Sequence, residues 1–199
     1  LKTMGKLRFL FALWMAKLSV PALKITRHNG TDFPGTLALK LCPDCLKYVG
    51  RPKTIFAVTG TNGKTTVSNL LADTLEKAGH RVLINRAGSN VASGIATALL
   101  KGCGLAGRVK DYDMAVLEVD ERSSVRVYPY ITPDYIAVTN LFRDSIMRNA
   151  HADFIAGIIS RSVPAASKLV FHSQPFHNGN DALESHHSVL HLLRTESMN

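Results

Sequence analysis

The feature that most constrains the fold is a glycine-rich loop, GTNGKTT at residues 60–66, which joins an apolar run to a helical pattern. The preceding run, TIFAV at residues 54–58, predicts a buried strand, and residues 66–79 predict a helix that stops at a glycine. A strand, a glycine loop and a helix in this order are typical of a phosphate-binding loop. The alternative, an ordinary strand-to-helix turn with a chance lysine, requires the pattern on both sides to match by coincidence.

Each residue type in this loop suits the terminal phosphates of a nucleotide. The glycines let backbone N–H groups approach phosphate oxygens, and the start of the following helix adds a partial positive charge. The lysine supplies a charge for the β- and γ-phosphates, and the next hydroxyl is placed to bind Mg²⁺. The general P-loop formula also asks for a glycine where this chain has Val58, so the loop is a shorter form. The predicted nucleotide-binding residues here are Gly60, Thr61, Asn62, Gly63, Lys64, Thr65 and Thr66.

Strand and helix patterns alternate along the rest of the chain. Further strands are predicted at residues 81–85, 113–119, 135–141 and 168–171, and helices at 91–100 and 152–160. This order predicts an α/β fold in which helices flank a parallel sheet. We divide the chain into an N-terminal segment (1–50), a nucleotide-binding domain (51–171) and a tail (172–199). The tail holds five of the eight histidines without a usual metal-ligand spacing, and we expect it to be disordered.

An acidic motif, LEVDE at residues 117–121, follows the strand predicted at 113–119. Ligands of parallel α/β sheets bind at the carboxyl ends of the strands, so these carboxylates should lie beside the glycine loop. We predict that Glu118 binds Mg²⁺ or holds a water, and that it acts with Lys64 in catalysis. Glu121 is instead predicted to lie in a solvated turn.

Two further polar groups follow strands on the same edge of the sheet. Asn85, Arg86 and Asn90 come after the strand at 81–85, and Asn140 comes near the end of the strand at 135–141. We predict that the first three bind substrate and that Asn140 binds nucleotide. The group at 85–90 suits turn and helix-cap chemistry almost equally well.

The N-terminal segment contains an amphipathic helix. Its apolar stripe comprises Leu7, Leu10, Phe11, Trp14 and Leu18, with basic residues between them. We favour packing of this stripe against the following domain over contact with a membrane surface. The longest uncharged run, at residues 9–16, is too short for the roughly 20 residues that a membrane span needs.

The composition of the chain limits the kinds of partner and the compartment that we expect for it. The formal net charge of +9 suits an anionic partner, but the basic residues are scattered and not interleaved with aromatics, which disfavours nucleic acid. Three cysteines make a poor disulfide framework and favour a reducing cytosol. Cys42 and Cys45 have half of a zinc-ribbon spacing, and without a second pair we expect no metal there.

Several motifs occur together in the order found in one enzyme family. VTGTNGKTT, NRAGSN, LEVDERS and PYITPDYIAVTNLFRDS resemble the Mur ligase family, and more narrowly its MurT branch. The resemblance covers roughly residues 6–171 and implies an incomplete central ATP-binding domain of that family. It implies that Lys64 and Thr65 hold ATP and Mg²⁺ and that Glu118 matches the family's metal-binding glutamate.

The resemblance also implies a reaction and partners. The MurT branch is the ligase subunit of lipid II isoglutaminyl synthase, which amidates the D-glutamate carboxylate of lipid II through an acyl phosphate. Ammonia comes from a separate glutaminase subunit (GatD-like). The expected location is the cytoplasm, at the inner face of the membrane if the N-terminal helix rests there.

Some positions depart from the wider family. The amino-acid-adding Mur ligases have Asp-His where this chain has Asp144-Ser145, a substitution that resembles the MurT branch. No counterpart of a zinc ribbon or C-terminal ligase domain follows residue 171, so we expect a truncated chain with little amidation activity of its own. The alternatives are another ligase of the Mur or folylpolyglutamate synthase type, and a non-catalytic remnant that docks on a membrane or partner.

Overall fold

A computed structural model describes residues 2–25, 32–85, 89–140 and 152–171. The described residues form one five-stranded sheet in the order β2-β3-β1-β4-β5, with all neighbouring strands parallel. The strands are β1 (Thr54–Thr59), β2 (Val82–Ile84), β3 (Met114–Glu118), β4 (Tyr135–Val138) and β5 (Lys168–Phe171). The helices are α1 (Lys2–Ile25), α2 (Phe33–Leu41), α3 (Lys64–Lys77), α4 (Ala92–Lys101), α5 (Glu121–Val127) and α6 (Ala152–Ser162), with a short 3₁₀ turn at Cys45–Lys47.

The predicted fold class is confirmed, and each predicted strand is present with slightly different ends. Helix α5 was not predicted, because it has only seven residues and begins inside the acidic motif. Its start is fixed by Asp120, whose Oδ1 accepts hydrogen bonds from the backbone N–H groups of Arg122 and Ser123 at 3.0 and 3.3 Å. A carboxylate at this capping position satisfies amides that the helix itself cannot pair.

Strand β1 lies in the centre of the sheet, and its register decides what surrounds the glycine loop. Val58 pairs with Glu118 of β3 on one side, and Thr59 pairs with Val138 of β4 on the other. The chain then leaves β1 at Gly60. The loop therefore emerges between the end of β3, where the acidic motif lies, and the end of β4, which leads to Asn140.

The N-terminal helix packs on the domain through a different face from the predicted one. Its buried side chains are Phe9, Ala12, Leu13 and Ala16, which join the core with residues of α2 and α4 such as Ala38 and Leu99. In the predicted stripe only Leu10 is partly buried, whereas Leu7, Phe11, Trp14 and Leu18 are exposed. Two alanines on the buried face explain the error, because small residues allow close helix packing but add little to an apolar pattern.

This packing predicts a difference between two leucines of α1. Leu13 is fully buried, so Leu13→Ala should lower the free energy of unfolding by about 3 kcal/mol. Leu7 is exposed, so Leu7→Ala should change it by less than about 0.5 kcal/mol. Urea denaturation of the two variants compares them directly, and similar losses would contradict the observed orientation of the helix.

Candidate functional site

The glycine loop turns from the end of β1 into the start of α3. Gly60 and Gly63 both have positive φ angles, +123° and +79°. A Cβ built on Gly63 would meet nothing within 4 Å, and Lys64, Thr65 and Thr66 form the first residues of α3. The first N–H groups of a helix have no partner within the helix, so they are available to an anion at this position.

The end of β4 holds the loop in place. The Thr61 N–H donates to the Asn140 backbone oxygen at 2.8 Å, and the Asn62 N–H donates to Asn140 Oδ1 at 2.9 Å. Asn140 Nδ2 and Thr139 Oγ1 both donate to the Asn62 backbone oxygen, at 3.1 and 2.7 Å. Asn140 is thus brought to the loop as predicted, where it supports the loop backbone; its contact with a nucleotide stays a prediction.

The Lys64 side chain folds back over the loop. Its Nζ donates to the backbone oxygen of Gly60 and, at 3.2 Å, to that of Thr61. The same Nζ lies 3.3 Å from Glu121 Oε1 and forms a salt bridge with it. The ammonium group therefore lies against the loop that would surround the phosphates.

The position of Glu121 contradicts the prediction that it lies in a solvated turn. It is only 5% exposed, and its Oε1 accepts from the backbone N–H of Gly60 at 3.1 Å as well as from Lys64. A buried carboxylate is costly unless it is paired and hydrogen-bonded, and both partners belong to the loop. The missed signal was the Asp120 cap, which starts a helix at Glu121 and fixes the side chain beside the loop.

Glu118 ends β3 as a buried residue with an ordered carboxylate. Its Oε1 accepts from Asn90 Nδ2 at 3.2 Å. Its backbone is clamped by Asn85, whose Oδ1 accepts from the Glu118 N–H and whose Nδ2 donates to the Glu118 carbonyl, both at 2.8 Å. Asn85 also donates to the Ser89 carbonyl at 3.0 Å. These contacts join the ends of β2 and β3, and substrate binding by Asn85 and Asn90 stays a prediction.

Glu118 and Thr65 are the predicted Mg²⁺ ligands, and binding of the ion by them stays a prediction. Glu118 and Thr65 offer a carboxylate and an exposed hydroxyl, which are the oxygen donors that Mg²⁺ prefers. Among the described residues, no group of three or more His, Cys, Asp or Glu side chains could hold a metal by itself. Nucleotide-dependent enzymes commonly bind Mg²⁺ through one or two protein groups together with substrate phosphates, and these residues fit that pattern.

The two cysteines of the predicted half zinc-ribbon spacing are buried in the core. Cys42 and Cys45 are free thiols in the core. Burial is the main cause that raises the pKa of Cys42 to about 11 and that of Cys45 to about 12. At neutral pH both are therefore protonated thiols, which are poor nucleophiles and poor metal ligands.

Some predicted positions lie outside the described residues. These are Arg86 of the predicted substrate group, Asp144-Ser145, and the tail at 172–199.

Comparisons with family models and with curated proteins point to the same family. Residues 58–172 match the Mur ligase middle domain. The chain is 35% identical over 153 residues to the MurT subunit of lipid II isoglutaminyl synthase (glutamine-hydrolyzing) from Staphylococcus aureus strain COL, covering 76% of this chain and 34% of the relative. Its identity to the MurT subunit from Streptococcus pneumoniae is 35% over 150 residues, covering 74% and 33%. The chain thus spans about a third of the length of the curated relatives it matches.

A solved structure supports the same fold. MurF from Acinetobacter baumannii superposes with a TM-score of 0.53 at 19% identity, covering 78% of this chain and 33% of that chain. At this identity the likeness concerns the fold alone.

Proposed function

Since the chain belongs to the Mur ligase family, we propose that it is the ATP-binding part of an ATP-dependent carbon–nitrogen ligase of peptidoglycan synthesis. The observation that carries the proposal is the loop at residues 60–66, with two glycines at positive φ and a lysine at the start of α3. The family match over residues 58–172 includes this loop.

Within this proposal, the backbone amides from Gly63 to Thr66 bind the phosphates of ATP, while those of Gly60, Thr61 and Asn62 stay bonded to Glu121 and Asn140. When ATP binds, the Lys64 ammonium leaves the loop carbonyl oxygens and Glu121 and bonds to phosphate oxygens instead. There it stabilises the charge on the transferring γ-phosphoryl group. Thr65 and Glu118 hold Mg²⁺, which neutralises part of that charge when bound. Asn90 orients the Glu118 carboxylate, and Asn140 keeps the loop in its curved form.

The proposed reaction is amidation of the D-glutamate carboxylate of lipid II. A carboxylate does not react with ammonia at neutral pH, so its oxygen first takes the γ-phosphoryl group, which gives an acyl phosphate and ADP. Ammonia then attacks the carbonyl carbon and loses a proton, and phosphate leaves. Both relatives are named as a subunit of a glutamine-hydrolysing synthase. We therefore propose that a GatD-like glutaminase subunit supplies the ammonia. ATP and this substrate place the reaction in the cytoplasm.

Because the chain spans about a third of its relatives, we propose that amidation needs regions beyond those present here. The function assigned to this chain is therefore Mg-ATP binding. The lipid II specificity rests on identity with the MurT relatives, and it can be tested only in a complete ligase.

The test is calorimetric titration of ATP into the chain with and without Mg²⁺. Mg²⁺ should strengthen ATP binding, and Glu118→Gln should remove most of that gain because the neutral amide is a poor Mg²⁺ ligand. The matched control is Asp111→Asn, an exposed carboxylate on the loop before β3, which should keep the full gain. If ATP gives no heat in either condition, the proposed function is wrong.

A further inference from the structure

Helix α1 has a second apolar face that points away from the domain. Its residues follow an alternating spacing of three and four, which places them on one side of a helix. They are between 49% and 75% exposed and comprise Met4, Leu7, Phe11, Trp14 and Leu18. We call this set the outer face, since the opposite side of α1 packs into the core through Phe9 and Leu13. Five large apolar side chains in one exposed row form more than the scattered apolar surface usual in folded proteins.

The outer face is fixed to the domain and extends beyond the helix. Trp14 Nε1 donates to the backbone oxygen of Leu105 at 2.9 Å, and Leu105 itself is 69% exposed. Three residues further along α1, Lys17 Nζ donates to the backbone oxygens of Leu100 and Cys103 at 2.9 and 2.7 Å. Leu105 therefore adds a sixth exposed apolar residue next to Trp14.

The charge around this surface is mainly basic, with the exposed Asp111 beside Lys110 as an exception. Helix α1 contains no acidic residue, and Lys6 and Arg8 are exposed basic residues of this helix. The segment around Leu105 adds exposed Lys101, Arg108 and Lys110. A second copy of the chain would bring basic residues opposite basic residues, which is unfavourable in either orientation. An anionic partner with an apolar interior has complementary charge and chemistry.

We propose that the outer face of α1, together with Leu105, binds the surface of an anionic lipid bilayer, with the helix lying in the plane of the headgroups. Apolar side chains enter the headgroup boundary, the tryptophan lies at the interface, and the flanking lysines and arginines contact anionic headgroups. Within the parts of the chain that the structure describes, none of the helices combines the length and the apolar character that a bilayer crossing requires. The inference does not depend on nucleotide binding.

The test is co-sedimentation of the full chain with vesicles. The chain should bind vesicles of phosphatidylglycerol and phosphatidylcholine in equal parts at least about tenfold more strongly than pure phosphatidylcholine vesicles, and added salt should weaken this binding. Equal binding to both vesicle types, or no binding to either, would overturn the proposal. If the chain instead forms a dimer through α1 and ignores vesicles, the outer face is a protein interface.

Two double variants test whether vesicle binding depends on the outer face or on exposed apolar residues anywhere on the chain. Leu7→Gln with Phe11→Gln should reduce binding to the anionic vesicles about tenfold or more. The matched control is Leu70→Gln with Val125→Gln, which alters two exposed apolar residues on α3 and α5 and should bind like the wild type. Equal losses in both pairs would contradict a site on α1. Mg-ATP titration of each variant reports whether the nucleotide site is intact, so failure here is distinguishable from failure of the proposed function.

Discussion

Replacing Lys64 with alanine is expected to weaken Mg-ATP binding by about 10- to 100-fold. The loss corresponds to a hydrogen bond to a charged group, about 1.5–3 kcal/mol. Lys64 begins α3 beside the loop, and its ammonium already lies against the backbone oxygens of Gly60 and Thr61. Calorimetric titration of Mg-ATP into the wild type and the variant measures the ratio of dissociation constants.

The control for this substitution is Lys77→Ala, which removes an exposed lysine in the last turn of the same helix and should leave the affinity unchanged. Lys64→Ala also leaves the buried Glu121 carboxylate without its cation, so a lower melting temperature is expected. Lys64→Ala with Glu121→Gln separates the two effects: it should recover stability without recovering affinity. An unchanged affinity in folded Lys64→Ala would show that the ammonium does not contact the nucleotide.

Gly60→Ala is expected to destabilise the protein by about 2–4 kcal/mol and to reduce Mg-ATP binding more than tenfold. The φ angle of +123° is one that residues with a side chain rarely adopt. The added Cβ would lie 2.4 Å from Thr139 Oγ1 and 2.8 Å from the Asn140 backbone oxygen. The loop must therefore move away from β4, which also breaks the contacts that hold Asn62.

The comparison variant is Gly63→Ala. This glycine also has a positive φ, +79°, but its added Cβ would meet no atom within 4 Å. It should cost only the backbone strain, about 1–2 kcal/mol. Thermal or urea denaturation of both variants measures the difference. If Gly63→Ala proved as destabilising as Gly60→Ala, the close approach of β4 to the loop would not be the cause.

The sheet and the loop were predictable because their signals are local. An apolar run, two glycines, a lysine and a helical pattern within 26 residues define the strand, the turn and the helix without knowledge of any distant contact. Parallel strands also put their carboxyl ends on one edge, so Glu118 and Asn140 could be placed near the loop from chain order alone.

What the sequence did not reveal depends on contacts between distant segments. Both faces of α1 carry apolar residues, and its buried face can be distinguished only once α2 and α4 are in place. Glu121 looks like part of an exposed acidic cluster until its pairing with Lys64, 57 residues away, is known. The roles of Asn85 and Asn140 could not be decided from the sequence for a chemical reason. An amide side chain both donates and accepts hydrogen bonds, so it can bind a ligand or hold a backbone segment equally well.

The proposed function depends on the backbone amides at the start of α3, which we expect to surround the terminal phosphates of a nucleotide. The most direct measurement is the change in amide NMR signals when a non-hydrolysable Mg-ATP analogue is added. The largest changes are expected at Gly63, Lys64 and Thr65, with smaller ones at Asn140, which supports the loop. If these signals stay fixed while the analogue binds elsewhere, or if the analogue does not bind at all, the loop does not bind the nucleotide's phosphates.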